Sequence, residues 1–257
     1  MVAWMRMLNY EEKLSRRFAA VVVLTRPERE FLSRYAPTVK VYDHPTGVDC
    51  VFFSPTEDPP EQGSVLFVGN FRHSPNVGGM MWFLQKVWPG VRFSYPGARL
   101  HIVGGNPPVS IQEAHGCEGI TVTGWVEDVR PYLQKAAVFV APVFEGVGLR
   151  GKVLEAWAMK KAVVGTRLSF EALSASDGEN CFLADEPELF ARRVCKLLEN
   201  PDLAMRMGEA ARQLVVDSFS WDAFGEVYDK IYSEILEARK GARLSSHSPV
   251  LKQEISH

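Results

Sequence analysis

Lys152 and Glu155 stand three residues apart directly behind a glycine-rich turn, Gly146-Val147-Gly148-Leu149-Arg150-Gly151. The turn follows an apolar run, Val138-Phe139-Val140-Ala141, that reads as a buried strand, and a helix is expected from Lys152 onward. Unpaired backbone N–H groups at a helix start carry partial positive charge, so the turn is an anion site. The spacing lets the ammonium and the carboxylate face one pocket. A cation there would neutralise a diphosphate, and a carboxylate one turn deeper would accept hydrogen bonds from two ribose hydroxyls.

The same letters satisfy two other motifs. Gly146 to Gly151 matches G-x-G-x-x-G, the dinucleotide fingerprint, with Glu171 at the distance expected of its ribose-binding acid. Several strand–helix units precede this turn, however, whereas the fingerprint opens its domain, and the strand that follows ends in Thr166-Arg167. Gly146 to Lys152 also fits the phosphate loop G-x-x-x-x-G-K, but Val153 stands where Ser or Thr would hold magnesium. An NAD(P)-dependent oxidoreductase stays open as the alternative, and NTP hydrolysis is disfavoured.

The elements that must position this turn are legible from their periodicity. Strands are expected at 19–25, 38–42, 64–69, 98–104, 120–123, 137–141, 162–166 and 181–184. Helices are expected at 1–18, 26–35, 76–87, 110–115, 129–134, 152–160, 186–198, 202–219 and 222–238. Short apolar strands alternating with helices predict an α/β fold, a doubly wound parallel sheet covered on both faces. Gly69, Gly104, Gly124 and Gly146 each follow a strand, so the turns share the rim where such sheets bind ligands. The polar, proline-rich stretch 56–63 reads as a linker, and the aperiodic residues 241–257 as a disordered tail.

The totals fit a soluble enzyme. Hydrophobic residues make up 46% and charged residues 23% of 257. The net charge of −2 predicts no nucleic-acid partner. Cys50, Cys117, Cys181 and Cys195 are scattered, which argues against a zinc site or disulfide framework and for a reducing compartment. With no membrane-length apolar run and no signal-peptide core, the expected location is cytoplasmic, with peripheral membrane contact left open.

The strand, glycine turn, Lys152 and Leu154-Glu155-Ala156 together resemble the donor site of the large retaining "group 1" (family 4-like) glycosyltransferases of GT-B fold. The resemblance extends to Val65-Leu66-Phe67-Val68-Gly69-Asn70-Phe71 with Ser74-Pro75-Asn76, and to Leu100-His101-Ile102-Val103-Gly104. Val122-Thr123-Gly124-Trp125-Val126-Glu127-Asp128, Ala162-Val163-Val164-Gly165-Thr166 and Phe219-Ser220-Trp221 are similar to later segments of the same half. Val21 to Thr25 and Thr46-Gly47-Val48-Asp49 look like the end of the preceding half.

The resemblance implies a Rossmann-like C-terminal half of a GT-B fold with a remnant of the N-terminal half. Residues 1–60 would be that remnant, 61–219 the nucleotide-sugar donor domain, and 220–240 a crossing C-terminal helix. It implies hexosyl transfer in polysaccharide biosynthesis, from a nucleotide-diphosphate sugar to an acceptor hydroxyl. Configuration would be retained, with no cofactor and no obligatory metal. Glu155 looks like the ribose ligand; Lys152, Gly146 and the backbone of Gly148 and Leu149 would hold the diphosphate. Asn70, Arg72 and His73 would approach the same phosphates, and Gly124 to Val126 would border the base.

The sequence departs from the family pattern at two places. Of the family's two glutamates separated by seven residues, the first falls on Val147; Glu145, two residues upstream, is the candidate sugar ligand or a solvent-exposed loop acid. The acceptor half is mostly missing, since two strands and two helices bury too little apolar surface to form it. The expectation is a fragment, a truncated gene, or a chain whose partner supplies that half; the acceptor would be a glycan, a lipid-linked sugar or a small molecule. A non-catalytic nucleotide-sugar-binding subunit is the competing reading.

Other conspicuous residues have plainer readings. Trp82, Phe83, Trp88, Trp157 and Met159 read as core, His44 as a turn residue, and Glu127-Asp128 as a helix cap.

Overall fold

Thr25 ends the first apolar run by starting a helix. In the computed structural model, which describes residues 2–44, 46–146 and 150–245, the run contracts to β1 (Val21–Val23), preceded by α1 (Val2–Ser15). The Thr25 hydroxyl accepts from the Glu28 N–H while the Glu28 carboxylate accepts from the Thr25 N–H at 2.9 Å. This reciprocal cap and Pro27 in the first turn fix the start of α2 (Arg26–Tyr35). The chain returns in β2 (Val41–Asp43), parallel to β1 with Val22 opposite Tyr42.

The described residues divide into two compact units, with boundaries after His44 and after Ala223. The first joins these elements to the chain from Phe224 onward. Lys40 and Tyr42 both donate to the Glu234 carboxylate, at 3.1 and 2.8 Å. His44 is buried against the rings of Phe224 and Tyr228, so it is an aromatic-cluster residue and not the turn residue its sequence context suggests.

The second unit holds one parallel sheet. Its strands are β3 (Ser64–Val68), β4 (Arg99–Val103), β5 (Ile120–Gly124), β6 (Val138–Ala141), β7 (Ala162–Gly165) and β8 (Phe182–Leu183), in the order β5-β4-β3-β6-β7-β8. Side chains alternate between its faces. Val65, Phe67, Leu100, Ile102, Val138 and Val140 pack on one side, and Leu66, Val103, Phe139, Ala141 and Val163 on the other. Both faces are buried, as the continuous apolar strands predict.

The first face is covered by α3 (Ser74–Trp82), α4 (Trp88–Ser94) and, later in the chain, Phe190, Val194 and Leu198. The helix expected to stop at Val87 continues: a single π turn, Phe83–Val87, joins α3 to α4. The widened turn lets the Trp88 N–H donate to the Phe83 carbonyl, and Pro89 then occupies the first turn of α4, where its missing donor costs little. α5 (Val109–Gln112) and α6 (Arg130–Lys135) are short. The N-cap of α6 is Val129, with no side-chain cap; Asp128, expected to cap it, instead accepts from the Arg130 N–H at 2.9 Å in a local turn and pairs with the Arg130 guanidinium.

On the opposite face lie α7 (Gly151–Ala158) and, after α8 (Pro187–Glu199), α9 (Pro201–Phe219). Trp88, Phe83 and Trp157 are fully buried, core as expected. Residues 46–60 lie in the second unit. Arg212 of α9 donates to the Phe53 carbonyl at 3.2 Å, and the Gln134 amide bridges the Thr56 N–H and the Asp58 carbonyl, tying down the polar stretch. α10 (Trp221–Ser245) runs past the expected end at 238, so 241–245 are helical. The rest of the tail expected to be disordered lies outside the described residues.

Candidate functional site

The order β5-β4-β3-β6-β7-β8 reverses direction between β3 and β6. Chains leaving these two adjacent strands run to opposite sides, so a crevice must open beyond their carboxyl ends. A cleft of about 610 Å³ opens there. Gly69, Asn70, His73 and Asn76 enter it from the β3 side, and Gly146, Arg150, Lys152 and Glu155 from the β6 side.

Tight backbone geometry forms its walls. A side-chain carbon at Gly104 would stand 2.0 Å from the Gly69 carbonyl oxygen, so the ends of β4 and β3 can approach only without one. Gly146 turns with φ +100°, a conformation that L side chains rarely adopt. Arg150 reaches back across the turn, donating to the Gly146 carbonyl at 2.9 Å and to the Glu145 carbonyl at 3.4 Å.

Lys152 and Glu155 are both partly buried in the cleft. Burial, reinforced by the Arg150 charge and opposed by Glu155, pushes the Lys152 ammonium down to about 7. Burial raises the Glu155 carboxyl above its ordinary value, with Lys152 pulling the other way. Each group thus loses water against an incomplete counter-charge, a perturbation of the kind found more often at functional sites than elsewhere. The Lys152 ammonium donates to Asn76 Oδ1 at 2.6 Å and lies 4.4 Å from the Phe67 ring centroid.

Of the residues singled out from sequence, Asn70, His73, Gly146, Lys152 and Glu155 line this one cleft. Arg72 and Glu145 are exposed and are not among its lining residues. Gly124 instead lines a neighbouring pocket of about 460 Å³ with Asn106, His115 and the exposed Trp125. Asn106 links the two, its amide donating to Asn70 Oδ1 at 3.3 Å. Val126 packs against the apolar cluster that contains Val153 and Leu154 of α7. Gly148 and Leu149, with Val147, lie outside the described residues. Sequence reasoning missed Asn76 and Arg150 as cleft residues; the Ser-Pro-Asn step after β3 and the position two before Lys152 were the available signals.

The G-x-G-x-x-G turn follows β6, the fourth strand of this sheet, and not the strand that opens it. That placement removes the structural context of a dinucleotide fingerprint. The model of the glycosyl transferases group 1 family matches residues 62–200, which include all of the cleft residues. The chain belongs to the group 1 glycosyl transferases.

The similar proteins are longer than the stretch they share with it. An uncharacterized protein of the cps region of Klebsiella pneumoniae is 26% identical over 185 residues, covering 68% of this chain and 45% of the relative. The lipopolysaccharide core biosynthesis glycosyltransferase LpsE of Rhizobium meliloti is 32% identical over 112 residues, 42% of this chain and 32% of its own. S. aureus TarM, solved with UDP, superposes with a TM-score of 0.74 at 16% identity, over 87% of this chain and 46% of TarM. The chain therefore spans less than half the length of these similar proteins. No described helix is long and apolar enough to cross a membrane.

Proposed function

We propose that this chain is the donor-binding part of a retaining glycosyltransferase, taking a nucleoside-diphosphate sugar in the cleft between β3 and β6. The carrying observation is that Lys152, Glu155 and the Gly146 turn converge at the switch point of the sheet. Lys152 and the amide-rich helix start meet the diphosphate, and Glu155 accepts from the ribose hydroxyls. The base extends toward Gly124 and Val126, with Asn70 and His73 closing the cleft over the phosphates. Glu145, at the mouth of the turn, would contact the sugar.

Transfer breaks the bond between the anomeric carbon and the diphosphate oxygen. The acceptor oxygen bonds to the same face, and its proton passes to the departing diphosphate. The protein's contribution is stabilisation of the negative charge that develops on the leaving group. The proposal includes no obligatory metal, so activity survives EDTA. The acceptor side belongs to polypeptide outside this sequence, in keeping with relatives more than twice the matched length. A non-catalytic nucleotide-sugar-binding subunit fits the same length difference; sugar transfer after addition of the acceptor-side polypeptide separates the two.

A thermal-shift panel tests the donor reading. UDP- or GDP-sugars should raise the melting temperature, and NADH should not. Stabilisation by NADH but by no nucleotide sugar would overturn it.

A further inference from the structure

Asn76, from the β3 side of the cleft, hydrogen-bonds Lys152 from the β6 side. Its Oδ1 accepts from the Lys152 ammonium at 2.6 Å, and its Nδ2 donates to the Asn70 carbonyl at 2.7 Å. These partners are of opposite kinds, a pure donor and a pure acceptor, so they fix which way the amide points. Room for that amide exists because residue 69 has no side chain: an added carbon at Gly69 would stand 3.0 Å from Asn76 Cγ and Nδ2. The Phe67 ring, 4.4 Å from the ammonium, limits Lys152 from β3. An extended lysine stem is otherwise free to sample many rotamers, and holding it costs entropy that these contacts meet in advance.

We infer that Asn76 is a positioning residue, which through its amide oxygen holds the Lys152 ammonium aimed into the cleft and supports its protonated form. The inference extends the proposed donor site by a residue that acts through Lys152. The other charged or titratable groups around the ammonium are Arg150 and Glu155 from the β6 side and His73 from the β3 side. None of them supplies the hydrogen bond that Asn76 supplies, among the described residues.

The test reads Lys152 directly, without a ligand. In full-length protein carrying lysine labelled with carbon-13 at Cε, the Lys152 signal is assigned by its loss in Lys152→Arg and followed against pH. Asn76→Leu keeps the shape but removes the accepting oxygen, so the midpoint should fall. Asn76→Asp replaces the amide by a carboxylate, so the midpoint should rise. A merely structural residue would not produce shifts of opposite sign. Equal midpoints in wild type and Asn76→Asp would overturn the inference, and this comparison stands even if Asn76→Leu fails to fold. Calorimetry with UDP and GDP gives the second arm: Asn76→Leu should bind at least about tenfold more weakly. If Lys152→Met binds these nucleotides as wild type does, the donor-cleft reading fails, while the lysine titration still decides the role of Asn76.

Discussion

The Lys152 ammonium stands 4.4 Å from the ring centroid of Phe67, a residue of β3 that lies 85 positions earlier in the chain. The contact joins the first strand of the sheet to the first turn of α7 across the point where the strand order reverses. It places a cation on an aromatic face that offers attraction but no counter-charge. Lys152 is therefore held from β3 by a contact that adds no counter-charge to the one Glu155 partly supplies.

Lys152→Met should separate stability from binding. A lysine whose folded value is lowered to about 7 binds fewer protons folded than unfolded between pH 7 and its ordinary range. The ligand-free protein should thus gain stability from this group as pH rises through that window and forgo it below. At pH 6 the methionine variant should melt at or above wild type, while UDP and GDP affinity falls at least about tenfold. Melting curves and calorimetry at one pH check both.

Nucleotide binding should take up protons. At pH 8 Lys152 is mostly neutral in the free protein, and a diphosphate beside it favours the charged form. Uptake should approach about one proton per site at pH 8 and vanish near pH 5.5. Titrations in buffers of different ionisation enthalpy measure it, and Lys152→Met should remove it.

Glu155→Gln should discriminate between parts of the ligand. If the carboxylate serves the ribose, UDP binding weakens by about tenfold or more while inorganic diphosphate binding changes little. The raised carboxyl binds more protons folded than unfolded, so its contribution to stability is present at low pH and lost as pH rises through the folded value. At pH 7 the glutamine variant should melt higher than wild type even as it binds UDP worse.

Gly104→Ala should damage the scaffold. The added carbon would meet the Gly69 carbonyl oxygen at 2.0 Å, at a backbone φ of +147°. Relief requires β3 and β4 to part at the rim of the cleft, at a cost of about 1–3 kcal/mol. A thermal melt lower by about 2–10 °C is expected.

Much of this architecture was legible because local rules agreed with the fold. The apolar runs at Val65, Leu100 and Val138 are buried on both faces, so nothing but a covered parallel sheet accommodates them. Helix limits were less legible where the stopping residue was tolerated. The helix expected to end at Val87 runs on through a π turn into α4, with Pro89 in its first turn. His44 was misread because its partners, Phe224 and Tyr228, lie about 180 residues away in sequence.

The site divides in the same way. Sequence alone determined the glycine turn, Lys152 and Glu155, since one helical turn brings residues three apart to the same side. It also determined that Val153 leaves the magnesium position of a phosphate loop without its hydroxyl. Tertiary structure alone decided that β6 lies beside β3, that Asn76 meets Lys152, and that Arg72 and Glu145 stand outside the cleft lining. Strand order and the meeting of distant loops are set by how the sheet packs between its two helical layers, and no local spacing encodes that.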